Sequence, residues 1–91
     1  MFDHYQIIKL KKMQLEIITP DKKIFSGDVK SVTVPGKNGT FQVLNNHAPI
    51  ISTLIKGKMK YVTLTEGEKV LPVKSGVIEV LKNKVIVLLE S

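Results

Sequence analysis

The sequence predicts an all-β fold, a single antiparallel β-sandwich of short strands. Three observations predict it. Turn residues recur at short, even intervals, the segments between them alternate apolar and polar side chains with a period of two, and Val and Ile dominate those segments. Gly and Asn supply positive φ and Pro fixes φ at the first turn position, so each cluster marks a chain reversal with a physical cause. β-branched side chains suit a pleated surface. Strands spaced roughly 8–12 residues apart signal a sandwich or barrel.

The elements follow in order along the chain. Leu15/Ile17 form the first alternating strand, closed by Pro20-Asp21, and Ser26-Gly27-Asp28 reads as the next reversal. Val32/Val34 and Phe41/Val43 flank Pro35-Gly36 and Asn38-Gly39, the pattern of a hairpin. After Asn45-Asn46 comes His47-Ala48-Pro49-Ile50-Ile51, a polar turn entering an apolar strand, in which Pro49 restricts Ala48 to extended geometry. Val62/Leu64 alternate between Lys56-Gly57 and Glu66-Gly67. Beyond Ser75-Gly76 and Asn83, the last strand carries Val85/Val87/Leu89 on one face and Ile86/Leu88 on the other, so both of its faces are apolar.

Residues 13–91 thus form one sandwich domain, and residues 1–12 stand apart as an N-terminal extension. Phe2, Tyr5 and Ile8 fall at helical spacing, whereas Ile8/Leu10 alternating with Lys9/Lys11 fits a strand equally well. The extension is predicted to pack over the second apolar face of the last strand or onto a neighbour. Met13 is a second candidate start.

Composition excludes several function classes. All 14 basic residues are Lys, against 8 acidic residues, giving a net charge of +6. The absence of Cys excludes a disulfide framework, Cys-ligated zinc and thiolate catalysis. No apolar run approaches the roughly 18 residues that a helical span needs, which predicts a chain that is soluble or held at a membrane by a partner. A nucleophile–base pair needs a group poised near neutral pH, and the two histidines, His4 and His47, have neither a catalytic motif nor metal-ligand spacing. Gly36-Lys37-Asn38-Gly39 lacks the Gly-Lys-Ser/Thr ending and the helix of a phosphate loop, so it reads as a turn. The reading is of a chain with no catalytic residue, no metal and no cofactor. A freestanding basic β-barrel binding single-stranded nucleic acid is the alternative, with Lys56, Lys58 and Lys60 as its phosphate track; against it stand 5% aromatics and no Arg.

An ordered set of segments resembles a known family. Met13-Gln14-Leu15-Glu16-Ile17-Ile18-Thr19-Pro20, Phe25-Ser26-Gly27-Asp28-Val29, Val32-Thr33-Val34-Pro35-Gly36 and Gly39-Thr40-Phe41-Gln42-Val43-Leu44 come first. His47-Ala48-Pro49-Ile50-Ile51, Ile55-Lys56-Gly57 and Ser75-Gly76-Val77-Ile78-Glu79-Val80 follow. Over about residues 13–90 the chain is similar to the epsilon subunit of the rotary F-type ATP synthase, called delta in mitochondria. The resemblance implies a ten-stranded sandwich in the central stalk, a peripheral membrane protein on the cytoplasmic face of a bacterial inner membrane. It implies two partners, the gamma subunit, met by His47, Ala48 and Pro49, and the c-ring, faced by the loop of Lys37, Asn38 and Thr40. Thr40 stands where many relatives carry an acidic residue, and Gln42 and Asn45 replace a usual Gly and Pro. Because the sequence ends at Ser91, the resemblance further implies a short form without the helical hairpin and without its nucleotide-binding motif.

Overall fold

A computed structural model describes residues 12–90, which form eight strands: β1 (Met13–Ile18), β2 (Lys23–Gly36), β3 (Gly39–Val43), β4 (Ile50–Leu54), β5 (Gly57–Thr63), β6 (Gly67–Val73), β7 (Gly76–Leu81) and β8 (Lys84–Leu89). No helix occurs among the described residues. The N-terminal extension, apart from Lys12, lies outside them.

Two layers share the longest strand. One is β6-β5-β2-β3, the other β4-β7-β8-β1, and β2 joins them by pairing with β1 through its first half and with β4 at Gly36↔Leu54. Every pairing is antiparallel except β1–β8. A parallel pair cannot be closed by a tight turn, and here the rest of the sandwich serves as the crossover. The inward side chains of the two layers meet as one core that includes Leu15, Ile17, Val32, Val34, Ile78 and Val87, each fully buried. Each such side chain contributes about 1.5–3 kcal/mol through removal from water.

Eight strands stand where about ten were expected, and one of the missing divisions is Ser26-Gly27-Asp28, which is not a reversal. The chain runs straight through it as part of the 14-residue β2, with Ser26, Gly27 and Asp28 paired to Glu16, Leu15 and Gln14. Gly27 leaves room for the ring of Phe25, whose Cζ would lie 3.1 Å from an added Cβ. Strand β5 also differs from the sequence reading. Its buried positions are Met59, Tyr61 and Thr63, while Val62 is half-buried and Leu64 sits exposed in the turn. A threonine can point inward here because its hydroxyl is satisfied: Oγ1 accepts from the Glu66 amide at 2.8 Å and donates to the Gly67 carbonyl at 3.1 Å.

Candidate functional site

The outward face of β4-β7-β8-β1 is a grid of three cross-strand rows, fixed by the pairing registers. The middle row runs Ile51, Glu79, Ile86, Glu16. On one side of it lie Thr53, Val77, Leu88 and Ile18. On the other lie Leu81, Lys84 and Gln14, with Pro49 next to Leu81 in the same groove. Alternation forces these side chains outward, because Ile78, Val80, Val85 and Val87 take the inward positions. Ile51 is 73% exposed and Leu81 and Leu88 are 49% exposed each, so the grid presents several large apolar side chains to solvent, interspersed with Glu16, Glu79 and Lys84.

Each end of the grid is tied to a connecting segment. At the first end, Leu44-Asn45-Asn46-His47-Ala48-Pro49 leads from β3 into β4, and it is clamped to the β7–β8 hairpin. Asn83 Oδ1 accepts from the Asn46 amide at 2.7 Å, Asn83 Nδ2 lies 3.4 Å from Asn46 Oδ1, and the Asn83 carbonyl accepts from the Gln14 amide at 2.9 Å. Asn46, Lys82 and Asn83 all have positive φ (64°, 49° and 60°), which suits Asn and gives the hairpin the twist its strands require. His47 is half-buried, and its Nδ1 lies 2.7 Å from the Ala48 carbonyl. A carbonyl only accepts, so Nδ1 carries the hydrogen and Nε2 of the neutral ring remains an acceptor.

At the second end, Lys37 and Asn38 form the two-residue β2–β3 turn, and both are exposed, as is Thr40. The Lys37 amide donates to the Thr53 carbonyl and the Ile55 amide to the Pro35 carbonyl, both at 2.9 Å, which knits this turn to the end of β4. Near it the Ser75 hydroxyl donates to Glu90 Oε2 at 2.7 Å, closing an apolar groove lined by Ile18, Thr53, Val77 and Leu88.

The two groups of residues singled out from the sequence therefore do not converge. His47, Ala48 and Pro49 lie at one end of the five-residue β3, and Lys37 and Asn38 at the other, some 14 Å away at about 3.4 Å per residue. Between them stretches the apolar grid, whose Ile51, Val77, Glu79 and Leu81 the sequence reading did not select. A signal for it existed in the two apolar faces of β8 and in the adjacent pair Ile50-Ile51. No group of three or more His, Asp or Glu able to hold a metal ion occurs among the described residues.

Residues 12–91 match the family described as ATP synthase, Delta/Epsilon chain, beta-sandwich domain. The chain belongs to this family. Within the delta/epsilon family it is 42% identical over 80 residues to the ATP synthase epsilon chain of Chlorobaculum tepidum, covering 88% of this chain and 91% of that one. It is 40% identical over 81 residues to the ATP synthase epsilon chain of Desulfosudis oleivorans, covering 89% of this chain and 61% of that one. The chain thus spans most of the length of the first of these relatives and less than two thirds of the second. The fold is also that of a chain in the cryo-EM structure of the Euglena gracilis mitochondrial ATP synthase, with a TM-score of 0.81 at 17% identity over 87% of this chain and 51% of that one. A chain in the Tetrahymena thermophila mitochondrial ATP synthase central stalk and c-ring gives 0.70 at 19% identity, over 88% and 64%.

Proposed function

We propose that this delta/epsilon-family chain is a non-catalytic rotor subunit that links the gamma subunit to the c-ring of a bacterial F-type ATP synthase, on the cytoplasmic face of the membrane, and so helps couple ion flow to ATP synthesis. The observation that carries this reading is the exposed apolar grid of β4-β7-β8-β1, bounded by the His47-Ala48-Pro49 segment at one end and the polar Lys37-Asn38 turn at the other. A surface of that kind is suited to permanent burial against a protein partner. In this reading Pro49 borders the gamma-facing surface and stiffens it, limiting the entropy lost on docking. Lys37, Asn38 and Thr40, exposed and polar, face the c-ring. Lys37 contributes under about 1 kcal/mol there, as an exposed charge does.

Among the described residues the geometry disfavours the nucleic-acid alternative. Base stacking needs an open ring face. Tyr61 is buried, Phe25 packs on it with ring centroids 4.8 Å apart, and Phe41 packs against the core. Lys60 in turn lies 3.9 Å from Glu68, which neutralises part of the Lys56–Lys60 stripe.

Cross-linking in the assembled enzyme tests the proposal. A photoreactive label on a Cys introduced at Ile51 should attach to the gamma subunit, and one at Asn38 to the c-ring. Labelling of the catalytic headpiece by both would overturn it.

A further inference from the structure

We infer that Glu79 receives a cationic side chain, Arg or Lys, from the partner that covers the apolar grid. The inference rests on the docking role proposed above and adds the chemistry by which the partner is recognised. Glu79 is exposed at the centre of the face, with Ile51 opposite it on β4 and Ile86 opposite it on β8.

Its isolation among the acids is the telling feature. Glu16, Asp28, Glu66 and Glu68 each hold a Lys, at 3.6, 3.7, 3.9 and 3.9 Å, and Glu90 accepts from Ser75. Among the described residues only Asp21, in an exposed bend, and Glu79 have no Lys within 4 Å; Lys84, on the same outward face and diagonal to Glu79 across the β7–β8 pair, lies beyond that distance. A partner that buries Ile51 and Ile86 also strips water from the carboxylate between them. A dehydrated carboxylate left unpaired is strongly unfavourable, so only a partner that supplies a charge-matched donor at that point can close over the face. An Arg fork fits the two carboxylate oxygens best. With a net charge of +6, the rest of the chain repels a cationic partner group, which raises the selectivity of this one acidic position.

The experiment measures binding of the purified gamma subunit of the same enzyme to the wild-type chain and to Glu79→Gln, Glu79→Asp, Glu79→Lys and Ile51→Lys, at low and high salt. Thermal unfolding of each variant is followed in parallel. Glu79→Gln should weaken binding about tenfold and flatten its salt dependence, Glu79→Lys should weaken it about a hundredfold, and Glu79→Asp should stay within a few-fold of wild type. If Glu79→Gln binds as wild type while Ile51→Lys does not bind, the Glu79 inference is overturned and the docking reading stands. Equal losses for Glu79→Asp and Glu79→Gln would also overturn it, since charge would not be the cause. A wild-type chain that fails to bind gamma, or an Ile51→Lys chain that binds it unchanged, would remove the docking reading and this inference together.

Discussion

The two outer faces of the sandwich are built from the same kind of strand and differ in what they offer to solvent. Over β4-β7-β8-β1 the outward positions include Ile18, Ile51, Val77, Leu81, Ile86 and Leu88, with Glu79 in their midst and no described Lys within 4 Å of it. Over β5-β6 they are Lys58, Lys60, Val62, Glu68, Val70 and Pro72, with Lys60 and Glu68 close enough to pair. Among the described residues strand β6 pairs only with β5, and Lys and Pro on such an edge discourage further strand addition. The inner sides differ too: β7 and β8 bury every alternate residue from Ile78 to Val80 and from Val85 to Leu89, whereas β6 buries only Val73.

The difference can be broken most severely at Gly76, where β7 enters the apolar layer. A Cβ there would lie 2.3 Å from the Leu88 carbonyl oxygen, a backbone atom of the paired strand, so β8 itself must shift. Gly76→Ala should cost about 3 kcal/mol, read as a lowered urea midpoint. Gly67, at the start of β6, has φ +78° and nothing within 4 Å of an added Cβ, so Gly67→Ala should cost only about 1 kcal/mol of backbone strain. Equal losses would show that the two layers are packed with the same tolerance.

A smaller effect is expected at the clamp that holds the loop before β4. Asn83→Gly keeps the left-handed backbone and removes only the side chain that accepts from Asn46, so it should lower stability by about 1 kcal/mol. Hydrogen exchange should quicken at the Asn46 amide. Unchanged exchange there would mean that the loop does not depend on the hairpin for its position.

Charge placement sharpens the contrast further. Lys60→Ala removes an exposed pair at 3.9 Å and should change the unfolding free energy by under about 0.5 kcal/mol. Ile51→Lys, at a position 73% exposed, should likewise leave stability within about 0.5 kcal/mol while making the apolar face more soluble. A large loss of stability from Ile51→Lys would show that this face serves the fold rather than a partner.

The smallest effect concerns Tyr61, beneath the polar face. Burial first, and the Glu66 charge second, raise its pKa above 10.0. The folded state therefore holds the phenol proton more tightly than the unfolded chain does. Its stabilising contribution is complete below the unfolded value of about 10 and is lost as pH rises through the higher folded value. Urea midpoints should fall over that alkaline window, and Tyr61→Phe should show a shallower fall. Identical alkaline slopes for the two chains would contradict the assignment.

By itself the sequence determined the class of fold, most turns and most of the core. Period-two alternation and Gly, Asn and Pro act through local backbone geometry, which needs no knowledge of distant partners. Leu15/Ile17, Val32/Val34 and Val85/Val87/Leu89 are buried as their alternation implies. Where a local signal depended on a distant pairing, the tertiary structure decided. Gly27 was legible as a turn former, but pairing with Leu15 makes it a mid-strand residue. Val62/Leu64 looked inward until Tyr61 and a hydrogen-bonded Thr63 set the face of β5. The same holds for the candidate site. His47, Ala48, Pro49 and the Lys37-Asn38 turn could be picked out as local segments, whereas the grid that joins them brings together β1, β4, β7 and β8. Its rows exist only in the registers Ile51↔Glu79↔Ile86↔Glu16 and Thr53↔Val77↔Leu88↔Ile18. Alternation tells which residues share a face of one strand; only hydrogen-bonded pairing between strands tells which faces adjoin, and a docking surface is a property of adjoining faces.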